Sequence, residues 1–290
     1  MRVTQSMLTN NMLKNLSNSY SRMGKYQDQL ATGKKITKPS DDPVVAMKGM
    51  SYRTNLTEVE QYKRNLSEVY NWMENSDAAM DKATQVIQRV RELTVQASNG
   101  TYEEGQKAAI AKEVGQLKEH LTAIANTQVA GKYIFNGTNT AEKPFNEDGT
   151  RNSVKGPDVN IEVSKGVRIP VNIDGDQVFP AGLFTDLQKL EGTLNGTAAG
   201  DVGSFLSTLD GHMDNIVASR AEMGARYNRV ELIEARVDEQ EVIANRILSD
   251  NEDADIERVI TELKTQESIH RAALGVGSRI MQPTLLDFLR

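Results

Sequence analysis

The 290-residue sequence contains no cysteine. That absence excludes disulfide scaffolds, zinc sites with thiolate ligands and thiol catalysis. Aromatic residues make up only 5% of the chain and apolar residues 38%, which is little for a thick globular core. Because pairs of helices need less core than a globule does, this composition favours a slender helical body.

Long hydrophobic runs are also lacking. The N-terminus has no apolar run of signal-peptide length, and no stretch approaches a membrane span. We therefore expect neither Sec export nor membrane insertion, which leaves export by a dedicated secretion apparatus open. The net charge of −6 argues against a nucleic-acid partner. No set of nucleophile, base and oxyanion donors is visible, so we predict a protein that is not an enzyme and needs no cofactor.

An apolar heptad repeat is present at each end of the chain. At the N-terminal end it is carried by Leu13, Leu16, Tyr20, Met23 and Leu30. At the C-terminal end it is carried by Ile256, Val259, Leu263, His270, Ala273 and Ile280, with Gln266 and Gly277 as weaker members. Such a repeat places one apolar seam along a helix, and the seam needs a partner. We therefore predict that the first and last segments pair with each other.

The segment after the first repeat contains signals for a helix end and a new helix start. Gly33 is suited to ending a helix, Asp42 to capping the next helix and Pro43 to its first position. A seam then runs through Leu56, Val59, Leu66, Met73, Met80, Ala83, Ile87 and Val90. It predicts a helix from about Pro43 to about Ala97, roughly 75 Å long at about 1.5 Å per residue.

Two more long helices are predicted. Apolar residues from Ile110 to Ile124 keep the helical period and indicate a helix antiparallel to the first long one. Another should begin near Phe205 and continue to about Ile247. Ser249 and Glu252 have capping-box spacing ahead of the last repeat, so they predict a helix start there.

Between residues 131 and 203 the apolar period changes to two, which is typical of strands. The alternating segments are Tyr133–Phe135, Val159–Val163 and Val167–Ile173. Turn signals occur at Asn136-Gly137, Asp148-Gly149 and Asp174-Gly175. This region is predicted to be a small β-rich insert.

The predicted fold is mainly α and elongated, with paired terminal helices, an antiparallel helical rod domain and a small β-rich insert. Residues 1–42 and 250–290 would form the terminal coiled-coil domain. Residues 43–130 and 204–249 would form the rod, and residues 131–203 the outer domain.

Candidate ligand sites have simpler structural interpretations. His120, His212 and His270 lie far apart without a ligand-spaced companion, so we interpret them as ordinary helix histidines. The acidic run from Asp250 to Asp255 lacks the glycine of a calcium loop and has Ala254 at an alternate ligand position. An acidic first helical turn is the better interpretation.

Charge is distributed unevenly along the chain. Basic residues outnumber acidic residues through Arg64, and the excess of acid comes later. Lys34, Lys35 and Lys38 are interpreted as a solvated loop. The alternative is a contact between these lysines and acidic residues of a neighbouring copy.

Motifs at both ends resemble one family. The stretch Leu30-Ala-Thr-Gly-Lys-Lys-Ile-Thr-Lys-Pro-Ser-Asp-Asp-Pro43, the Arg53-Thr-Asn55 that follows it, and the last eleven residues from Ile280 to Arg290 are similar to the two ends of flagellin-type proteins. The Lys38–Pro43 part and the opening Met1-Arg-Val-Thr4 resemble hook-associated members of that family more than flagellin itself. The resemblance covers about residues 1–126 and 205–290.

The resemblance implies a structural, secreted component of the bacterial flagellum that is exported by the flagellar type III apparatus and acts as the adaptor between hook and filament. It implies as partners other copies of the chain, a neighbouring hook-associated junction protein, flagellin and a cytoplasmic export chaperone. The expected subunit-packing residues are Leu13, Leu16, Tyr20, Met23, Leu30, Val259, Leu263, Ile280, Leu285, Leu286, Phe288 and Leu289. The expected chaperone-binding residues are Leu274, Ile280, Leu285, Leu286 and Phe288.

Two alternatives stay open. The chain could be a short flagellin that forms the filament itself, or an extracytoplasmic coiled-coil adhesin whose active part is the insert. The polar interruptions of both terminal seams, together with the strongly apolar segment from Leu285 to Leu289, predict that the arms are disordered in the free subunit and fold on assembly.

Overall fold

The computed structural model describes residues 5–99, 103–198 and 200–280. Within these ranges the chain is mainly helical, as predicted. The helices are α1 (Gln5–Thr32), α2 (Pro43–Ser98), α3 (Glu104–Ala125), α4 (Gly175–Val178), α5 (Ala181–Leu194), α6 (Phe205–Glu252) and α7 (Ile256–Ile280), with a 3-10 turn at Val202–Ser204. The strands are β1 (Gln128–Val129), β2 (Lys132–Tyr133), β3 (Asn160–Ser164) and β4 (Val167–Pro170).

The predicted boundary between α1 and α2 is confirmed. α1 ends one residue before Gly33, whose φ of +68° is the left-handed conformation that glycine adopts easily. Asp42 caps α2, because its Oδ1 accepts the backbone N–H groups of Val44 at 3.0 Å and Val45 at 3.1 Å. Pro43 then occupies the first position of the helix.

The boundary between α6 and α7 differs from the prediction. α6 continues through Ser249 to Glu252, so the predicted capping box is wrong. Asp255 caps α7 instead, since its Oδ1 accepts the backbone N–H of Arg258 at 3.1 Å. The side chain of Ser249 is bound to Asp253, in the short segment between the helices.

The chain divides into two compact units. The terminal unit consists of Met1–Glu58 and Gln240–Arg290, and the central unit is Val59–Glu239. α2 and α6 are each shared between the two units. The division into three domains stays a prediction.

α1 and α7 of the terminal unit pair with each other in antiparallel orientation, as predicted. Ser19 lies opposite Gln266, and further along α1 the turn residue Lys34 lies opposite Asp253. The two helices therefore run in opposite directions.

The central unit contains a continuous apolar core. On α2 the predicted seam is confirmed within this unit, with Leu66, Met73, Met80 and Ile87 at 1% exposure or less. On α3 the fully buried members include Val114 and Leu121, and on α6 they include Ile216, Val230 and Val237. Within this unit α2 and α6 are antiparallel, as ion pairs from Arg91–Asp210 at one end to Lys63–Asp238 at the other show.

The insert has less β-structure than predicted. β1 pairs with β2 and β3 with β4, both antiparallel, and a 14-residue helix, α5, was missed. Ile134 and Phe135 are buried in a turn rather than a strand. Asp174 caps α4 through a 3.0 Å hydrogen bond from the Asp176 N–H, so its predicted hairpin turn is wrong. Four phenylalanines are buried in the core of the insert and contact one another: Phe135, Phe145, Phe179 and Phe184.

Candidate assembly surface

The seam between α1 and α7 is only partly apolar. On α1 its buried and half-buried members are Met12, Leu16, Ser19, Met23, Tyr26 and Leu30. On α7 they are Val259, Leu263, Gln266, His270, Ala273 and Gly277. Both sets step by alternating three and four residues, which is the knobs-into-holes period.

The predicted seam of α1 is wrong at two positions. Leu13 and Tyr20 are 55% and 67% exposed, and their neighbours Met12 and Ser19 take the seam instead. The reason lies on α7: Gly277 has no side chain, so Met12 packs directly over its backbone. Ser19 accepts a hydrogen bond from buried Gln266 at 2.7 Å. The α7 repeat is confirmed from Val259 to Gly277, whereas Ile256 is 41% exposed.

Apolar side chains flank the α7 seam on both sides. Ile260 and Leu274 lie on one flank, and Ile269 and Val276 on the other; they are 40% to 57% exposed. In a two-stranded coiled coil these flanking positions usually carry charge, because they face solvent. The apolar surface of α7 is therefore wider than α1 alone can cover.

Exposed apolar side chains are concentrated in the terminal unit. Of the nineteen large ones in the described ranges, fifteen belong to this unit and four to the larger central unit. Conversely, Ala244 and Val259 are the only apolar residues of the terminal unit that are buried in the described ranges. The terminal unit thus has an apolar surface without a closed core, which is typical of an interaction surface.

The predicted site residues fall into four groups, which are exposed, half-buried, buried and outside the described part of the chain. Leu13, Tyr20 and Leu274 are exposed; Leu16, Met23, Leu30 and Leu263 are half-buried, and Val259 is buried. Ile280 ends α7, but its side chain is outside the described part of the chain. Leu285, Leu286, Phe288 and Leu289 also lie outside it. The subunit-packing and chaperone-binding roles of all these residues stay predictions.

Glu252 joins three segments of the terminal unit. Its carboxylate accepts hydrogen bonds from Lys34 at 2.7 Å and Arg53 at 2.6 Å, although its side chain is only 6% exposed. Gly49 allows this approach, because a Cβ there would come within 2.6 Å of Oε1. Burial raises the pKa of Glu252, but the hydrogen bonds from Arg53 and Lys34 outweigh that effect and hold the pKa below its ordinary value. The carboxylate is therefore ionised at neutral pH.

The basic loop is bound to its own chain at two of its three lysines. Lys34 pairs with Glu252, and Lys35 Nζ donates to the backbone carbonyl of Asp250 at 2.6 Å. Backbone hydrogen bonds run from Lys35 N to Glu252 O and from Ala254 N to Gly33 O, at 2.7 and 2.8 Å. Lys34 and Lys35 thus have partners within the chain, so they are not a purely solvated loop, and the contact with a neighbouring copy stays a prediction.

Sequence reasoning missed Glu252 and Arg53 as a pair, since 199 residues separate them. It also missed Met47 and Met50, which are more than 60% exposed on the first turns of α2. Their i, i+3 spacing was an available signal. Such a surface can bind other helices.

The described residues contain no group of three or more His, Asp or Glu that could hold a metal ion. None of the described helices is long and apolar enough to cross a membrane.

Family comparisons agree with this architecture. The bacterial flagellin N-terminal helical region matches residues 3–140, and the bacterial flagellin C-terminal helical region matches residues 206–289. The first match includes α1, α2 and α3, and the second includes α7 and all of α6 except its first residue.

Individual relatives match over most of their length. Flagellar hook-associated protein 3 of Escherichia coli K12 is 24% identical, covering 94% of this chain and 95% of that protein. Flagellin of Listeria innocua is 23% identical over 100% of this chain and 99% of its own. The crystal structure of FlgL from Bacillus cereus, at 25% identity, covers 69% of this chain and 99% of that one with a TM-score of 0.61. With both helical regions present in their order, the chain belongs to the bacterial flagellin family.

Proposed function

We propose that this chain is the adaptor subunit that joins the hook to the filament of the bacterial flagellum. Copies of it would pack side by side through their terminal units. The observation that carries the proposal is the apolar surface on both flanks of the α7 seam. Burying a large apolar side chain contributes about 1.5 to 3 kcal/mol, so neighbouring copies can supply the core that the terminal unit lacks.

The junction is supported by the near full-length similarity to a hook-associated protein 3 together with the structural similarity to FlgL of Bacillus cereus. The proposed partners are further copies of the chain, an adjoining hook-associated protein on one side and flagellin on the other. The segment that includes Leu274 and the residues after it would bind an export chaperone before secretion. In this proposal residues 1–42 and 250–290 act as the inner layer, 43–130 and 204–249 as the rod, and 131–203 as the outer domain.

A short flagellin that builds the filament itself is the second candidate, and the full-length match to Listeria innocua flagellin favours it. The two candidates differ in where the protein is found. Immunogold labelling of intact flagella should give a narrow band at the hook boundary for an adaptor and continuous label for a filament subunit.

Deletion of the gene gives an independent test. An adaptor is required before filament can be attached, so the mutant should be non-motile and release unattached flagellin into the medium. Re-expression of the chain should restore attachment. A motile deletion strain with normal filaments would refute the adaptor role.

A further inference from the structure

A groove beside the α1–α7 seam is lined by more cationic than anionic side chains, and Lys25 in it also helps to lower the pKa of Asp41. Its volume is about 510 Å³, and Arg22, Lys25 and Gln29 line it from α1 while Arg258 lines it from α7. Arg22 and Lys25 are exposed, and neither forms an ion pair with any residue that the structure describes.

The two carboxylates in the groove are already engaged. Asp255 accepts the backbone N–H of Arg258 at 3.1 Å. Glu262 accepts from Nε of Arg258, also at 3.1 Å, and from the hydroxyl of Tyr26; this second hydrogen bond raises the pKa of Tyr26 and lowers that of Glu262. Arg22 and Lys25 therefore remain available for a carboxylate from outside the chain.

A complementary acidic stripe lies on α6 within the central unit. Glu231, Glu234 and Asp238 are spaced by three and four residues, so they share one helix face. Glu231 is exposed and has no cation within ion-pair distance in the described ranges. Asp238 is half-exposed and forms a surface pair with Lys63 at 3.0 Å, which contributes about 0 to 1 kcal/mol.

We propose that the groove of one copy receives the acidic stripe of a second copy. Arg22, Lys25 and Gln29 have the same spacing of three and four as the acids, so each spans about 10 Å along its helix. In this register Arg22 faces Glu231, Lys25 faces Glu234 and Gln29 faces Asp238. Two ion pairs and one amide–carboxylate hydrogen bond can then form together. This inference rests on the proposed assembly of copies and adds its electrostatic partner.

Charge reversal tests the pairing. Arg22→Glu with Lys25→Glu should reduce the amount of chain incorporated into flagella at least tenfold. The matched control is Lys14→Glu with Lys48→Glu, which changes the charge equally at exposed positions outside the groove, and it should incorporate normally. Arg22→Glu alone should also reduce incorporation, and combining it with Glu231→Lys exchanges the charges of that pair and should restore incorporation. Glu234 is spared because it accepts a hydrogen bond from Tyr70.

The proposal is overturned if the groove variant incorporates like the control. It is also overturned if the compensating substitution restores nothing while circular dichroism shows a folded central unit.

Cysteine crosslinking tests the contact directly. Because the natural chain has no cysteine, only the introduced cysteines can form a disulfide between copies. One strain would express two forms of the chain, one with Arg22→Cys and the other with Glu231→Cys. Mild oxidation of its flagella should give a mixed dimer that neither form gives alone; absence of this dimer would overturn the proposal. Immunogold labelling of the same flagella distinguishes failure of the pairing from failure of the adaptor role. Label confined to the hook boundary, with no mixed dimer, refutes only the pairing. Continuous label along the filament, with the mixed dimer present, refutes only the adaptor role.

Discussion

Gln266 on α7 donates a 2.7 Å hydrogen bond to the hydroxyl of Ser19 on α1, inside the terminal seam. The two residues are 8% and 4% exposed. A buried polar pair in a coiled-coil seam costs stability but selects one register, because any shift leaves both groups without a partner. The pair therefore fixes the register of α1 against α7.

Ser19→Ala should weaken the seam by about 1 to 3 kcal/mol, since it leaves the Gln266 amide buried without its partner. The measurement is the temperature at which the chain is released from isolated flagella, which should fall. Combining Ser19→Ala with Gln266→Leu removes both polar groups and should restore most of that temperature. Release of Ser19→Ala at the unchanged temperature would contradict the assignment.

Glu252→Gln should loosen the segment between α6 and α7 by about 1 to 3 kcal/mol at neutral pH. Exchange of the Lys35 and Ala254 amides, measured in assembled flagella, should then accelerate about ten- to a hundredfold. Asp250→Asn is the control, because this neighbouring carboxylate is exposed and should have little effect.

The same carboxylate makes the segment pH-sensitive. Its folded-state pKa is lowered, so its stabilisation is present above the unfolded value of about 4.3 and is lost as pH falls through the lowered pKa. Protection of the two amides should therefore decrease below about pH 4 in the natural chain. It should change less over that range in Glu252→Gln.

The terminal arms should be disordered in the free subunit. In a dilute monomer, amides from Met7 to Leu30 are expected to exchange without protection, whereas those from Leu66 to Leu93 are expected to be strongly protected. The physical reason is burial, since the second segment is in the closed core and the first is not. Strong protection of amides from Met7 to Leu30 in the monomer would contradict disorder of the arms.

Ile260→Asn should impair assembly without destabilising the central unit. Ile260 is 40% exposed on a flank of the α7 seam, so the substitution removes apolar contact with a neighbouring copy. Thr265→Asn on the exposed surface of the same helix is the matched control. Equal incorporation of both variants into flagella would argue against the flank as a packing surface.

Asn136 should be the most sensitive polar residue of the insert. The two N–H groups of its buried amide are shared among three acceptors, which are the carbonyl groups of Asn139 and Glu142 and the Ser153 hydroxyl, and its Oδ1 accepts from Arg151. Asn136→Ala should destabilise the central unit by about 3 kcal/mol, seen as a lower melting temperature. Asn139→Ala removes only an exposed contact to Glu142 and should stay within about 0.5 kcal/mol.

Sequence reasoning was most accurate for the long helices, because their apolar period extends over many turns and their caps are local. It failed in the insert, where Asp174 has the composition of a hairpin turn but caps a helix. It also failed at Leu13 and Tyr20, where the neighbouring residues Met12 and Ser19 lie in the seam instead. Neighbouring residues are about 100° apart around a helix, so both can lie near the edge of one apolar face. The heptad period alone does not decide which of two neighbouring residues faces the partner helix.

The sequence by itself determined the helical class, the pairing of the two ends and the shortage of core in the terminal arms, because period and composition are local properties. Tertiary structure decided which side chains fill the seam, since the space over Gly277 and the amide of Gln266 select Met12 and Ser19. It also decided the partners of Glu252 and the apolar flanks of α7. These depend on residues that the chain brings together from distant positions, which no local pattern records.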